Sequence, residues 1–126
     1  MQVPEHLRYT EEHEWLEMRD GSYRLGITDY AQDQLGDIVF VELPEVGTEV
    51  GAGDVLAEVE STKSVGEVYA PLAGEITAIN EDLRDRPELI NSEPYGAGWI
   101  VEFRPADETG ASGMLDAAAY RALIED

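Results

Sequence analysis

The sequence predicts a mainly β fold, either a sandwich or a barrel, with a few short helices. Its apolar segments are short and extended, and they are frequently separated by some of the 12 glycines and 6 prolines. Only three segments have a helical pattern. Many short strands separated by turn residues are typical of sandwiches and barrels. The length of 126 residues fits one domain over 1–126, with strands over about 7–105 and a C-terminal helix over about 113–124.

Seven extended segments are expected as strands. Asp20-Gly21 between the first two is a hairpin turn signal. In the fourth segment, Val55, Ala57 and Val59 alternate with glutamates and are predicted to share a buried face, although Leu56 blurs the alternation. The seven segments are 14–18, 23–27, 38–43, 55–60, 65–70, 74–79 and 98–103.

Two short helical segments interrupt the strands. Thr28 is a suitable N-cap for a helix over 29–35, and Gly36 is a suitable stop. The segment 87–91 is expected to form a single turn.

The C-terminal part is rich in alanine and predicts a helix over 114–124. Leu115, Ala119 and Ala122 lie at helical spacing, so this face is expected to pack on the sheet. Residues 107–113 are small and polar and are expected to form a flexible connection.

The charge balance excludes several classes of partner. With 8 basic and 28 acidic residues, the formal net charge is −20 at pH 7. A nucleic-acid backbone or an anionic membrane surface requires a basic face, so neither is expected as a partner. The absence of cysteine excludes disulfides, thiolate metal sites and a cysteine nucleophile. The N-terminus has no signal-peptide pattern, which favours a bacterial cytoplasm, or a mitochondrial matrix if the chain is a trimmed form.

No constellation of catalytic residues is evident. The two histidines have no metal-ligand spacing, and no Gly-x-Ser-x-Gly motif is present. No catalytic residue and no metal site are therefore predicted. The aromatic residues Trp15, Phe40, Trp99 and Phe103 are expected in the core rather than on a binding surface.

Lys63 is the only lysine, since the other seven basic residues are arginines. It lies among small polar residues between two extended segments, at the expected tip of a hairpin. An ordinary solvated lysine is one interpretation. A Schiff-base lysine needs a lowered pKa, but Glu60 and Glu67 would favour the charged amine. The third interpretation is covalent attachment of a swinging cofactor, which requires a protruding lysine in clear surroundings.

The residues around Lys63 resemble a known attachment site. Glu60-Ser61-Thr62-Lys63-Ser64, followed by 69–76, resembles the lipoyl-lysine hairpin of the glycine cleavage system H-protein family. His13-Glu14-Trp15 and the segments 26–31 and 35–47 resemble further motifs of that family. The motifs Asn80-Glu81, 89–91, Pro94-Tyr95 and Gly98-Trp99 also follow the family's order.

The resemblance implies a flattened β-barrel, or barrel-sandwich hybrid, that carries lipoate in amide linkage to Lys63 and has no catalytic activity of its own. Glu60, Ser61, Thr62 and Ser64 would form the attachment motif. The family often has Val-Lys-Ala where this chain has Thr62-Lys63-Ser64. This difference keeps the side chains of the turn small.

The resemblance also implies four partners. The pyridoxal-phosphate-dependent glycine decarboxylase (P protein) would load an aminomethyl group, and the tetrahydrofolate-dependent aminomethyltransferase (T protein) would remove it. Dihydrolipoyl dehydrogenase (L protein) would reoxidise the lipoyl group on Lys63, here called the arm, and a lipoate ligase or lipoyltransferase would attach it.

The resemblance further implies a surface cleft that shelters the loaded arm. By their positions in the motifs, Glu14, Asp29 and Glu67 are candidates to contact the aminomethyl cation, with Gln34 nearby. Some members of the family carry His at the position of Gln34. Each of these residues could equally be an ordinary surface residue.

Other carriers and other roles are alternatives. A biotin carrier would flank the lysine with Met on both sides, where this chain has Thr62 and Ser64. A lipoyl domain of a 2-oxo acid dehydrogenase would normally continue into a linker and a catalytic domain. A relay protein that donates lipoyl groups to other lipoyl domains, or an unlipoylated relative, would have the same fold.

Overall fold

A computed structural model describes residues 1–106 and 114–125. The predicted connection over 107–113 lies outside the described residues. Within them, the elements are β1 (Arg8–Tyr9), β2 (Glu14–Arg19), β3 (Ser22–Ile27), α1 (Asp29–Leu35), β4 (Ile38–Glu42), β5 (Glu49–Val50), β6 (Val55–Ser61), β7 (Val65–Tyr69), β8 (Gly74–Ile79), α2 (Asp82–Asp85), α3 (Leu89–Ser92), β9 (Val101–Pro105) and α4 (Ala117–Glu125).

The strands form two antiparallel sheets, which confirms the mainly β prediction. The larger sheet has the order β1-β2-β3-β9-β8-β5, and the smaller has the order β4-β6-β7. The main core combines residues of both sheets, such as Leu25 and Phe103 from the larger and Val41 and Val59 from the smaller. The sheets therefore share one hydrophobic core but do not close into a continuous barrel.

Most predicted strands lie within one or two residues of the observed ones. The last strand begins at Val101 instead of residue 98, because Gly98 packs tightly against α3. A Cβ on Gly98 would lie only 2.5 Å from the carbonyl oxygen of Leu89. The two-residue strands β1 and β5 and the single-turn helix α2 were not predicted, since so few residues produce no periodic pattern.

The predicted buried face of β6 is wrong for Val55, which is 44% exposed. The pairing of β6 with β7 shifts register between Val55 and Ala57. At this bulge the alternation breaks, so Leu56 and Ala57 are buried as neighbours. The apolar Leu56, which interrupts the alternation in the sequence, was the signal that indicated this bulge.

Helix α1 has its predicted bounds and both predicted caps. The Thr28 hydroxyl accepts a hydrogen bond from the Ala31 amide at 3.2 Å. Gly36 follows with φ 85°, a conformation that only glycine adopts without strain. The turn expected over 87–91 is α3, shifted towards the C-terminus.

The C-terminal helix starts at Ala117, and its predicted packing face is wrong for Ala119 and Ala122, whereas Leu115 precedes the helix and is partly buried. The helix packs through Ala117 and Tyr120, whereas Ala119 and Ala122 are exposed. The ring of Tyr120 stacks on Tyr9 at 4.7 Å, which sets the rotation of the helix. No helix among the described residues is long and apolar enough to cross a membrane.

The exposure of Phe40 shows that the expectation of all four aromatic residues in the core is wrong for this residue. Trp15 and Phe103 are buried, and Trp99 is half-buried beneath the Arg24 guanidinium at 4.3 Å. Phe40 is 52% exposed on β4, which is an edge strand of the smaller sheet.

Candidate functional site

Lys63 lies at the exposed tip of the β6–β7 hairpin, as the sequence predicted. Ser61 organises this tip, because its Oγ accepts hydrogen bonds from the amides of Lys63 and Ser64 at 3.2 and 3.0 Å. The Ser61 amide also donates to the Ser64 carbonyl at 2.8 Å. The backbone on both sides of Lys63 is therefore fixed, and the residue itself is exposed.

The segment that follows α1 supports the tip from below. The Thr62 amide donates to the Asp37 carbonyl at 3.1 Å. The side chain of Lys63 lies over Gly36, where a Cβ would be 3.4 Å from the lysine Cε. A glycine at this position thus satisfies the backbone conformation, and the stem of the lysine lies against it.

Asn91 holds this supporting segment in place. Its side-chain amide donates to Gln32 Oε1 and to the Gly36 carbonyl, each at 2.9 Å. Its Oδ1 accepts from the Ile38 amide at 2.9 Å. Asn91 joins the end of α1 to the start of β4, and its role was not predicted. A polar residue directly after the apolar pair Leu89-Ile90 was the available signal.

A cleft of about 360 Å³ opens beside the hairpin between α1 and β7. We call it the α1–β7 cleft. Gln34 and Glu67, two of the predicted arm contacts, both line it. Leu35 packs against Gly66 at its floor, where a Cβ would lie 3.1 Å from Leu35 Cδ2. The remaining polar lining is Glu12, His13 and Tyr30.

Glu14 does not line this cleft. It is 1% exposed and borders a second cavity of about 530 Å³. Its Oε2 accepts from the Tyr69 amide at 2.6 Å, and its Oε1 accepts from the Thr10 hydroxyl at 3.0 Å. Burial raises the pKa of Glu14 to about 7, and the two hydrogen bonds oppose that shift. Glu14 thus fastens the outer edge of β7 to the larger sheet.

Asp29, the fourth predicted contact, also lies outside the α1–β7 cleft. Its Oδ1 accepts from the Gln32 side chain at 2.8 Å, and its Oδ2 accepts from the Gln2 amide at 2.9 Å. These bonds stabilise the first turn of α1 and fix the N-terminal segment. No group of His, Asp or Glu in 1–106 and 114–125 is arranged to hold a metal ion.

His13, part of the motif His13-Glu14-Trp15, lines the cleft, a position that was not predicted from the sequence. Its backbone is left-handed, with φ 70°. Its Nδ1 lies 2.8 Å from the Tyr120 hydroxyl, which in turn lies 2.7 Å from the Thr28 hydroxyl. Burial lowers the pKa of His13. This network connects α4 to the wall of the cleft.

The chain is similar to known proteins over almost its whole length. The family model described as glycine cleavage H-protein matches residues 7–126. The glycine cleavage system H protein of Cronobacter sakazakii is 55% identical over 125 residues, covering 98% of this chain and 97% of that protein. The H protein of Escherichia coli strain HS is 54% identical with the same coverage.

A solved structure agrees with these relatives. The crystal structure of a glycine cleavage system H protein from Mycobacterium marinum superposes with a TM-score of 0.90 at 40% identity, covering 98% of this chain and 100% of that one. The fold that the resemblance implied is thereby confirmed. The chain belongs to the glycine cleavage H-protein family.

Proposed function

We propose that all 126 residues form one carrier domain that bears lipoate in amide linkage to Nζ of Lys63. As a member of its family, the chain is a carrier of the glycine cleavage system and not itself an enzyme. One observation supports the attachment site above all others: the only lysine of the sequence is exposed at the tip of an ordered hairpin.

The surroundings of Lys63 fit such an arm. Thr62 and Ser64 are small and exposed, and Gly36 offers no side chain beneath the stem. Ser61 orders the turn through its hydroxyl, and Glu60 lies exposed on the strand that leads to it. When bound, lipoate supplies a dithiolane that can accept and carry an aminomethyl group. The contribution of the protein is to present that group and raise its effective concentration at each partner.

The α1–β7 cleft is the proposed resting place of the loaded arm. It adjoins Lys63, because Leu35 at its floor is followed by Gly36, over which the Lys63 side chain lies. Glu67 is exposed on the edge strand β7, so its carboxylate would attract the aminomethyl cation from the rim of the cleft, and the Gln34 amide would offer hydrogen bonds. Glu14 and Asp29 would act through the backbone they hold, Glu14 on β7 and Asp29 on α1.

The proposed partners are those that the family resemblance implied. The glycine decarboxylase loads the arm, the aminomethyltransferase unloads it, and dihydrolipoyl dehydrogenase reoxidises it. A lipoate ligase or lipoyltransferase attaches it. Bacterial relatives support a bacterial cytoplasm as the place of action.

The test combines loading with turnover. The chain is lipoylated by a lipoate–protein ligase and then incubated with the pyridoxal-phosphate-dependent glycine decarboxylase and glycine. We expect glycine-dependent release of carbon dioxide with the lipoylated protein and none with Lys63→Arg. A lipoylated protein that supports no release but donates its lipoyl group to another lipoyl domain would replace the proposal with the relay role.

A further inference from the structure

The outer face of the smaller sheet is exposed beside Lys63 and has an unusual composition. Directly paired residues of antiparallel strands share a face. Phe40 pairs with Glu60, and Glu60 pairs with Val65. Phe40 and Val65 are 52% and 53% exposed. We define the hairpin face as Phe40, Glu42, Glu58, Glu60, Val65 and Glu67.

Three glutamates form the neighbouring row of the hairpin face. Glu42 pairs with Glu58, and Glu58 pairs with Glu67. Like charges directly opposite each other destabilise a sheet. None of these three carboxylates takes part in an ion pair within the described parts of the chain.

This arrangement is unfavourable for folding, apart from the hydrogen bond that Glu67 accepts from the Tyr69 hydroxyl at 3.2 Å. The three glutamates of the row repel one another, and the exposed Phe40 leaves about half of its surface in contact with water. Surfaces that bind a partner commonly sacrifice stability in this way. Four of the six residues of the hairpin face lie on the two strands of the hairpin that carries Lys63, and Val65 is only two residues from the lysine.

We propose that the hairpin face is the docking surface for the enzyme that loads the arm, and that this enzyme presents arginines or lysines around an apolar socket. The proposal rests on the proposed function, which supplies such a partner. Charge complementarity identifies the partner as basic, because the face carries four carboxylates and no cation except Lys63 at its end. A second copy is disfavoured for the same reason, since two such faces would repel.

Docking and stability respond in opposite directions to neutralisation. Glu42→Gln/Glu58→Gln removes repulsion across the sheet, so the thermal midpoint should rise or stay unchanged. The same change removes attraction to a basic partner, so binding should weaken. A purely structural role for these glutamates would instead lower stability and binding together.

The experiment measures KM and kcat of the pyridoxal-phosphate-dependent glycine decarboxylase for the lipoylated chain at low and high salt. Intact mass confirms equal lipoylation of every variant. For Glu42→Gln/Glu58→Gln we expect KM to rise about tenfold at low salt, with a smaller difference at high salt because ions screen the attraction. The value of kcat should change little. Glu49→Gln/Glu88→Gln removes the same charge from exposed positions on other elements and should leave KM near that of the wild type.

Phe40→Ser tests the apolar part of the surface. Since Phe40 is exposed, the variant should fold normally, and its KM should rise several-fold at every salt concentration. An unchanged KM in both face variants, or an equal rise in the control, overturns the docking surface while turnover by the wild type upholds the proposed function. No turnover by the wild type overturns both. A dimer in sedimentation that Phe40→Ser dissociates would assign the face to a second copy and overturn the proposal.

Discussion

The two hairpins β2–β3 and β6–β7 have strands of similar length but differ at their tips. The first turns through Asp20-Gly21 immediately after the pair Arg19 and Ser22, and Gly21 takes a left-handed conformation at φ 75°. Within the described residues, no side chain bonds to the backbone of that turn. The second turns through 62–64, and a serine hydroxyl and a carbonyl of a neighbouring segment hold its backbone.

The difference teaches what presentation of a side chain requires. A two-residue turn is sufficient to reverse a strand. The β6–β7 tip has in addition an internal hydrogen bond to Ser61, a bond from Thr62 to Asp37, and a glycine beneath its lysine. Four predictions test the contacts that hold the β6–β7 hairpin and its tip, ordered from the largest expected effect to the smallest.

Removing the side chain of Asn91 should have the largest effect. Asn91→Ala loses three hydrogen bonds and leaves their partners unsatisfied, so we expect a loss of about 3 kcal/mol in the free energy of unfolding. Hydrogen exchange at the Thr62 amide should accelerate more than exchange in β2–β3. Ser92→Ala, one residue away and exposed, should change stability by less than about 0.5 kcal/mol. Equal exchange in the two hairpins would show that Asn91 does not support the tip.

The buried carboxyl of Glu14 should make stability depend on pH. Its pKa is about 7 in the folded protein against an ordinary value of 4.5, so the folded state binds the proton more tightly. Stability should therefore fall as pH rises from about 4.5 to 7, by at most about 3 kcal/mol. Glu14→Gln should flatten this slope in denaturant unfolding, whereas Glu49→Gln, at an exposed position, should keep it. If the slope persists in Glu14→Gln, another titratable group causes the dependence of stability on pH.

Gly36→Ala tests the glycine beneath the lysine. At φ 85° and ψ −159° an alanine is strained, and we expect a loss of about 1–3 kcal/mol. The added Cβ would only touch the flexible end of Lys63, so the strain decides the result. Gly96→Ala, where a Cβ has ordinary contacts and φ is not positive, should be near neutral in thermal unfolding. Equal losses in both variants would contradict a special role for Gly36.

Ser61→Ala should have the smallest effect on stability. The hydroxyl is near the surface, so we expect a loss of about 0.5–1 kcal/mol. The amides of Lys63 and Ser64 should exchange faster, and lipoylation should slow. Unchanged exchange at both amides would refute the role of Ser61 in ordering the tip.

The parts of the fold that depend on local signals could be predicted from the sequence. Helix α1 followed from Thr28 and Gly36, and the hairpin tip followed from small polar residues around a unique lysine. The exposure of Phe40 and Val55 could not be predicted, because it depends on a sheet edge and on a bulge. Asn91 was missed because its partners lie 53 to 59 residues away in the chain.

The candidate cleft shows the same difference between features with a local signal and features that depend on packing. Gln34 and Glu67 meet in it, whereas Glu14 and Asp29, equally acceptable by motif position, bind backbone elsewhere. Which carboxylate faces a cavity depends on how the two sheets pack, and no local pattern encodes that packing. The contact of each with a loaded arm stays a prediction.

The most direct measurement compares the two hairpins as sites of attachment. The wild type, Lys63→Arg and Lys63→Arg/Asp20→Lys are each incubated with a lipoate–protein ligase and lipoate, and their intact masses are recorded. The double variant places a lysine at the tip of β2–β3. We predict one lipoyl increment on the wild type and none on either variant, because only the β6–β7 tip presents its lysine correctly. An increment on Lys63→Arg, or on the double variant to the same extent as on the wild type, would contradict the account.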